Sequence, residues 1–445
     1  MRKTTLLVGV FLIVIGAAFV YASGNKEQQP AAASSAQKVR LVYWSHYGQS
    51  PPFVQAFATT ANYYLPKIGY PNVTMKAVVI PYASYYEKYL SAFASGTGPD
   101  IFVGNPSDWA MHGGLHPVAA PFPQTLAKVW TDALATPFKA GGILDGQRYG
   151  FTVEGGDILL LYYNKDMFKA AGLDPNKPPA TLDQLVADAQ KMTKYGPDGK
   201  IVQSGYAARI DGPMASGTAP KFIPFIQDFG GAWIGPGNKV DGYLNSPQTT
   251  AAFQFYHDLV YKYKVLSLDQ TSPENAFQQG LTAMMFREGW FAADTTQKAP
   301  NIHYGIAPFP SGVKNIVATE GGGGWQNMVN NASQHKDVIW ALLKAMANPT
   351  ADVMLHKPAL YPPVLAATMT MSNQYFSSLP YAQATIDSLD KEAAPVYPQT
   401  PITTQLETVL GQMVVADLNG TPVKQVIDNG VQQMNQIVAK WKAQQ

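Results

Sequence analysis

Four carboxylates, Glu154, Asp157, Glu288 and Glu320, fall at turns or near the ends of predicted strands. Two carboxyls about 5–10 Å apart could work as acid and nucleophile on a glycosidic bond. Nothing in the spacing brings any two together, and the simpler reading makes them hydrogen-bond acceptors for ligand hydroxyls. His112 and His116 are spaced as two metal ligands on one helix face, but Gly113 and Gly114 lie between them and weaken any helix. The chain has no HExxH, GxxxxGK or GxSxG pattern and no GxGxxG after a strand. Gly321–Gly324 lacks the Lys and Ser/Thr of a phosphate loop. No catalytic residue, metal ligand or cofactor is therefore expected. The tryptophans say more. Trp44, Trp109, Trp233, Trp290 and Trp325 each sit near a strand end, a turn or a Gly-rich segment. One such ring is ordinary core; a set at these positions suggests apolar platforms on which the C–H faces of a sugar ring can stack.

A chain of 445 residues needs two or three lobes to carry these side chains. Its 46% hydrophobic and 12% aromatic content is enough for true cores, and 24 Tyr exceed what packing requires. The formal net charge is +2, and Arg2 and Lys3 account for both units, which gives no electrostatic case for nucleic acid or an anionic membrane. Those two residues precede an apolar run from Leu6 to Val20 and a small-residue cleavage site at Val20-Tyr21-Ala22, the pattern of a signal peptide over residues 1–22. The run is shorter than the roughly 20 residues of a spanning helix. Residues 23–37, rich in Ala, Ser, Gln and Asn, read as a disordered leader. With no cysteine, disulfides, thiolate chemistry and a lipid anchor at the cleavage point are excluded. A periplasmic or secreted protein, its signal peptide removed, is expected.

The fold should begin at Lys38. Strands are predicted at Val39–Trp44, Val73–Ile80 and Ile101–Val103, with helices over Phe53–Leu65 and Tyr82–Ala94 between them. That alternation implies a parallel, right-handed α/β layer whose ligand sits beyond the strands' carboxyl ends, at Trp44-Ser45-His46, Pro81-Tyr82 and Gly104-Asn105-Pro106. Two β-runs, Tyr149–Val153 and Ile158–Tyr163, flank Glu154-Gly155-Gly156-Asp157. They form either a hairpin or a crossing between lobes, and spacing does not choose. Thr181 and Gln184 suggest a capped helix start, Gly205–Arg209 a strand, and Ala276–Phe286 a helix leading to Arg287-Glu288-Gly289-Trp290. Tyr304–Pro310 reads as a strand stopped by proline, and helices are expected at Lys336–Ala347, Ala382–Asp390, Thr403–Asp417 and Val423–Lys442.

Four segments occur in order: SGTGPDIF; GQRYGF with LLYYNKDMFKAAGLD and ATLDQLVADAQKMTK; AFQQGLTAMMFREGW; and YGIAPFPSG with GGGGW. Together they resemble the family 1 extracellular solute-binding proteins of bacterial ABC importers, the maltose- and multi-sugar-binding group, over most of Val39 to Ala347. The resemblance implies an α/β two-lobe periplasmic-binding-protein clamp with a cleft between the lobes and several hinge crossovers. It maps the first lobe to 38–153 plus 306–349 and the second to 154–305 plus 350–445. It places in the cleft Trp44, Ser45, His46, Asn105, Glu154, Arg209, Trp233, Glu288, Trp290, Gly323, Gly324 and Trp325, with Tyr361 and Tyr397 from the C-terminal part. It implies a non-enzymatic monomer that binds a small solute, a mono- or oligosaccharide, and delivers it to permease subunits in the inner membrane. A secreted carbohydrate-active enzyme using Glu154 and Glu288, or a module feeding chemotaxis, are the alternatives. The missing lipid-attachment cysteine is a departure from many relatives.

Overall fold

In β1 (Val39–Ser45) Leu41, Tyr43 and Ser45 are buried while Arg40 faces water, the period-two pattern of a strand. β1 pairs in parallel with β2 (Val73–Val79) and β3 (Ile101–Gly104). The helix Pro51–Tyr64 links the first two, opened by prolines at its start, where a missing N–H costs nothing, and it buries Phe53, Val54 and Phe57. In this computed structural model residues 38–444 are described, except 49, 111–117, 156–157, 211–216, 270–271, 320–323, 396 and 398.

The chain then forms a small hairpin of β4 (Ile143–Leu144) and β5 (Gln147–Arg148), whose Asp145 and Gly146 have φ of 49° and 75°. Both central residues need positive φ in a type I′ turn, and Asp-Gly is the pair that supplies it. β6 (Gly150–Thr152) and β7 (Leu160–Asn164) follow; β8 (Lys194–Tyr195) and β9 (Ile201–Gln203) make a second small ribbon. β10 (Met284–Arg287), β11 (Tyr304–Pro308) and β12 (Gln326–Val329) complete the strands. The first sheet has the order β2-β1-β3-β12-β6, and a second has the order β10-β7-β11, antiparallel throughout.

β6 and β7 therefore do not pair. β6 joins β12 in the first sheet and β7 lies central in the second, so the stretch between them is a crossing. β7 is buried at every position, and apolar at all but its last residue Asn164, because both of its faces are covered. Leu161 and Tyr163 share a core with the helices Leu182–Met192, Ala219–Asp228 and Thr403–Leu418, while Leu160 and Tyr162 share another with Phe277, Phe291 and Tyr381. Each such buried side chain contributes about 1.5–3 kcal/mol relative to exposure.

Three connecting segments run side by side between the sheets. Val153 N–H donates to Trp325 O (2.8 Å), Leu159 N–H to Ala318 O (2.9 Å) and Val317 N–H to Glu392 O (2.8 Å). Gly155 lies against the Pro362-Pro363 segment. Its N–H donates to Pro362 O at 2.9 Å, and a Cβ there would collide with the carbonyl of Pro363. The glycine is required by close approach of two backbones rather than by an unusual φ. His356 Nε2 reaches Val153 O at 3.1 Å and its Nδ1 pairs with Asp352, whose carboxylate accepts from Val364 and Leu365 N–H, so a buried network braces the crossing.

Several elements differ from the sequence reading. β11 pairs with β7, so Ile306–Pro308 sit in the second sheet and the return passage begins after Pro308, not at Ile306. Ala351, Leu355, Tyr361 and Phe376 pack into the core beneath the first sheet, so the chain beyond Thr350 does not pass at once to the second lobe; Leu406 and Met434 do. Asn348 caps a helix, Pro349–His356, that periodicity had not revealed. Gly205–Arg209 makes only isolated bridges, because Tyr206 N–H turns aside to Val265 O. Ala276–Phe286 is not one helix. Pro273–Gln278 ends before Gly280 at φ 69°, and β10 follows. The Thr181 cap is present, and Gln184 Oε1 accepts in return from Ala180 N–H, one residue earlier than in a capping box.

Candidate functional site

Because β1, β2 and β3 are parallel, their carboxyl ends share one edge, and the residues just beyond them, His46, Tyr82 and Asn105, line one cavity of 610 Å³. That volume lies within the roughly 300–1,000 Å³ range of small-molecule sites. Asn105 also caps the short helix Pro106–Trp109, accepting from Ser107 N–H. His46 is buried, and burial lowers its pKa to about 3, so the ring is neutral. Its Nδ1 has no hydrogen-bond partner among the described residues.

The His46 ring is held by other rings. Its centroid lies 4.1 Å from Trp325 and 4.7 Å from Tyr85, and Tyr85 meets Trp325 edge to face at 5.6 Å. Tyr82 stacks on Tyr85 at 5.5 Å. This wall is thus a cluster of aromatic edges and faces with hydroxyls among them. Burial raises the Tyr85 pKa, and the charges of Asp108 and Glu87 add to the rise, so both carboxylates lie close to that ring.

Glu154 enters the cavity from the crossing and accepts from Tyr47 Oη at 3.5 Å. Tyr361 sits one layer behind, its ring 6.2 Å from Tyr47 and 4.4 Å from Phe53.

The second sheet contributes charge. Lys221 and Glu288 form a close buried ion pair. Arg287 Nε lies 3.1 Å from Glu274 and 3.4 Å from Glu288, and Arg209 approaches Glu274 at 3.9 Å. Burial alone would raise the Glu274 pKa, but Arg287 and Arg209 more than offset it and the net direction is down. The Arg287 guanidinium stands 4.8 Å over the Trp290 ring, so one face of that platform is already taken.

The helix Thr403–Leu418 closes the cavity. Its Glu407 accepts from Tyr397 Oη at 2.7 Å, and burial together with the charge of Asp108 lifts the carboxyl pKa to about 7. Ser107 and Thr404 hydroxyls lie 3.3 Å apart, so the element after β3 and this helix touch across the cavity.

Of the residues expected in the cleft, His46, Asn105, Glu154, Arg209 and Glu288 line the cavity, as do Trp290, Gly324, Trp325 and Tyr397. Four do not. Trp44 alternates to the other face of β1 and packs on Tyr89 at 5.8 Å. Ser45 is buried and caps a turn by accepting from Tyr47 N–H. Trp233 is core and buttresses Tyr397 edge to face at 4.9 Å; Tyr361 is buried behind Tyr47. Gly323 falls outside the described residues, as do His112, His116, Asp157 and Glu320. Trp109 is fully buried in the first lobe.

The cavity also holds Tyr85, Tyr86, Asp108, Lys221, Arg287 and Glu407, which the sequence reading had not selected. The tyrosines were visible as a run beyond the second strand. Lys221 had a fainter signal, a lone cation among Ala219, Phe222 and Ile223, where a charge needs a buried partner. Glu407 had none, since its side chain looks like any other on an amphipathic helix. Among the described residues no three His, Asp or Glu side chains converge as metal ligands, and no helix is long and apolar enough to cross a membrane.

Residues 47–353 match the sequence profile of the bacterial extracellular solute-binding proteins. The sn-glycerol-3-phosphate-binding periplasmic protein UgpB of Salmonella paratyphi A is 25% identical over 398 residues, 82% of this chain and 86% of that protein. The maltotriose-binding protein of Pyrococcus abyssi is 23% identical over 335 residues, 74% of this chain and 67% of that protein. The cyclic α-maltosyl-1,6-maltose binding protein of Arthrobacter globiformis superposes with a TM-score of 0.71 at 23% identity, covering 90% of this chain and 99% of that one. A solute-binding protein of Thermotoga lettingae bound with α-D-tagatose superposes with a TM-score of 0.72 at 21% identity, covering 90% and 100%. At these identities the structural likeness is one of fold.

Proposed function

Because the chain belongs to the bacterial extracellular solute-binding proteins, we propose that it captures a carbohydrate in the cavity between its two lobes and hands it to the permease of an ABC importer. One observation carries this reading: a single 610 Å³ cavity has an aromatic wall from the first sheet and a wall of hydrogen-bonding charges from the second. A sugar ring offers apolar C–H faces and a rim of hydroxyls, and this pairing meets both. Maltotriose, in the name of one relative, is a sugar, and glycerol phosphate, in the name of another, is an anionic polyol ester. Trp325, Trp290 and Tyr85 would stack on the solute. His46, Asn105, Glu154, Arg209 and Glu288 would hold its hydroxyls.

The two lobes we assign as 38–153 with 326–389 and 158–308 with 397–444, joined by the three neighbouring crossings. A solute that touches both walls favours the closed arrangement, since only such differential contact shifts the population. We assign no bond-breaking step: Glu288 is paired with Lys221 and Arg287, an arrangement that suits a hydrogen-bond acceptor. The apolar N-terminal run supports export by a signal peptide and action in the periplasm.

A thermal-shift screen over sugars, sugar acids and polyol phosphates tests the reading. A true solute at 100 times its dissociation constant adds about 2.7 kcal/mol of stability. A screen in which no saccharide or polyol moves the melting temperature overturns it, and new reducing ends from an oligosaccharide incubated with excess protein would favour a hydrolase instead.

A further inference from the structure

The crossing beside the cavity carries an inference that holds whichever solute is bound. We propose that His356 is a buried imidazolium and a positioning residue for the cavity: it holds the carbonyl of Val153, from which the chain passes to Glu154, and losing its proton releases that carbonyl.

The hydrogen bonds of the ring point this way. His356 Nδ1 lies 2.7 Å from the backbone carbonyl of Asp352 and 3.0 Å from its carboxylate, and Nε2 lies 3.1 Å from Val153 O. Carbonyl and carboxylate oxygens only accept. A neutral imidazole has one N–H and one lone pair, so in either tautomer the lone pair would point at an oxygen. The doubly protonated ring satisfies both sides. Asp352 supplies the counter-charge, and its two carboxylate oxygens also accept from Val364 N–H at 3.2 Å and Leu365 N–H at 3.0 Å. His356 and Asp352 are 0% and 1% exposed, so each charge depends on the other for its compensation.

The surroundings favour the cation. The helix Pro51–Tyr64 sets Phe53 at 5.8 Å from the ring and carries no Asp, Glu, Lys, Arg or His. Lys357, next in the chain, is exposed. The following segments bring phenols: Tyr361, whose N–H donates to His356 O, and Tyr375, whose hydroxyl donates to Tyr361 O. The other carboxylate of this region is Glu154, one residue beyond the bonded carbonyl. Burial alone lowers a histidine pKa, as at His46; at His356 the charge of Asp352 and the bonds to Asp352 and Val153 more than offset it, and the net direction is up.

When the proton leaves, the bond to the carboxylate is the stronger of the two, so Nδ1 keeps its hydrogen and Nε2 turns a lone pair on Val153 O. Two cavity residues feel this. Glu154 shares the released peptide, and Trp325 O accepts from Val153 N–H. The folded pKa stands above the unfolded value of about 6.5, so the stabilisation is full below about pH 6.5 and is lost as pH rises through the folded pKa. The crossing is firm on the acid side and loosens as the solution becomes alkaline.

NMR of the protein carrying isotope-labelled histidine, valine and tryptophan tests this without any solute. The His356 signals, assigned by their absence from His356→Gln, should show both ring nitrogens protonated at about pH 7.5, where an ordinary histidine is about nine-tenths neutral. As the ring loses its proton at higher pH, the Val153 amide and Trp325 indole signals should shift with the same midpoint. In His356→Gln the Val153 amide should exchange with heavy water about tenfold faster than in the wild type at the same pH, because a bond from a charged donor is lost. A ring that is neutral at about pH 7.5 overturns the proposal. So do Val153 and Trp325 signals that ignore its titration, or an exchange rate unchanged in the folded variant. Where the variant does not fold, the ring is assigned through its contact with Phe53 and the wild-type titration decides. None of these outcomes bears on the carbohydrate reading, which the thermal-shift screen tests separately.

Discussion

The wall from the first sheet holds His46, Tyr85 and Trp325 against one another by ring contact, whereas the wall from the second holds Lys221, Arg287 and Glu288 by charge. Ring contacts are short-ranged and individually modest, so losing one leaves the fold and takes surface away from the solute. Buried ion pairs are different. Each charge has been stripped of water, and removing one partner strands the other in a poor dielectric. The comparison separates two kinds of sensitivity within one cavity: losing one member of the charged wall chiefly costs stability, and losing one ring of the aromatic wall chiefly costs affinity.

The sharpest way to break this contrast is Lys221→Met. It leaves Glu288 without its closest cation and should cost about 3–5 kcal/mol of unfolding free energy, measured by urea titration. Replacing both members, Lys221→Met with Glu288→Leu, should recover most of that loss. A single variant as stable as the wild type would show that this wall is not held by the pair.

Next in size is Trp325→Ala. Solute affinity should fall by about 1–3 kcal/mol in calorimetry while the fold persists. An unchanged titration curve would remove Trp325 from the platform role and shift it to Tyr82 and Tyr85.

The smallest effect concerns Glu407, where helix Thr403–Leu418 meets Asp108. Its folded pKa, pushed up to about 7, exceeds the unfolded value of about 4.3. A raised carboxyl pKa means that the stability this group contributes is full below about pH 4 and is lost as pH rises to about 7. The difference in melting temperature between wild type and Glu407→Gln should therefore change across that window and be flat above it. A difference independent of pH would mean that the carboxyl titrates normally.

Legibility in the sequence followed the range of the forces involved. Helices Thr403–Leu418 and Val423–Lys442, strands β1 to β3 and the Thr181 cap depend on neighbours within a turn or two, and their patterns named them. Trp44 was misplaced by one residue of strand alternation: the position after a strand faces the ligand, the one before it faces a helix. Trp233 and Tyr361 were placed a layer too far forward, since nothing in a sequence says which ring touches solute and which supports it. β12, Gln326–Val329, escaped notice because it is four residues long and stabilised by partners as distant as Ile101 and Gly150.

By itself the sequence determined that the chain builds α/β layers, that the carboxyl ends of β1, β2 and β3 share one edge, and that aromatic and carboxylate side chains collect at chain turns. Local sterics, hydrophobic period and the absence of cysteine suffice for that. Whether Tyr149–Tyr163 is a hairpin or a crossing was decided only by tertiary pairing, β6 with β12 and β7 with β10 and β11. The same holds for the ion pair of Lys221 with Glu288, 67 residues on, and for Glu407 facing Asp108. Ionic partners and pKa shifts arise from desolvation and distance, and neither exists until the chain has folded back on itself.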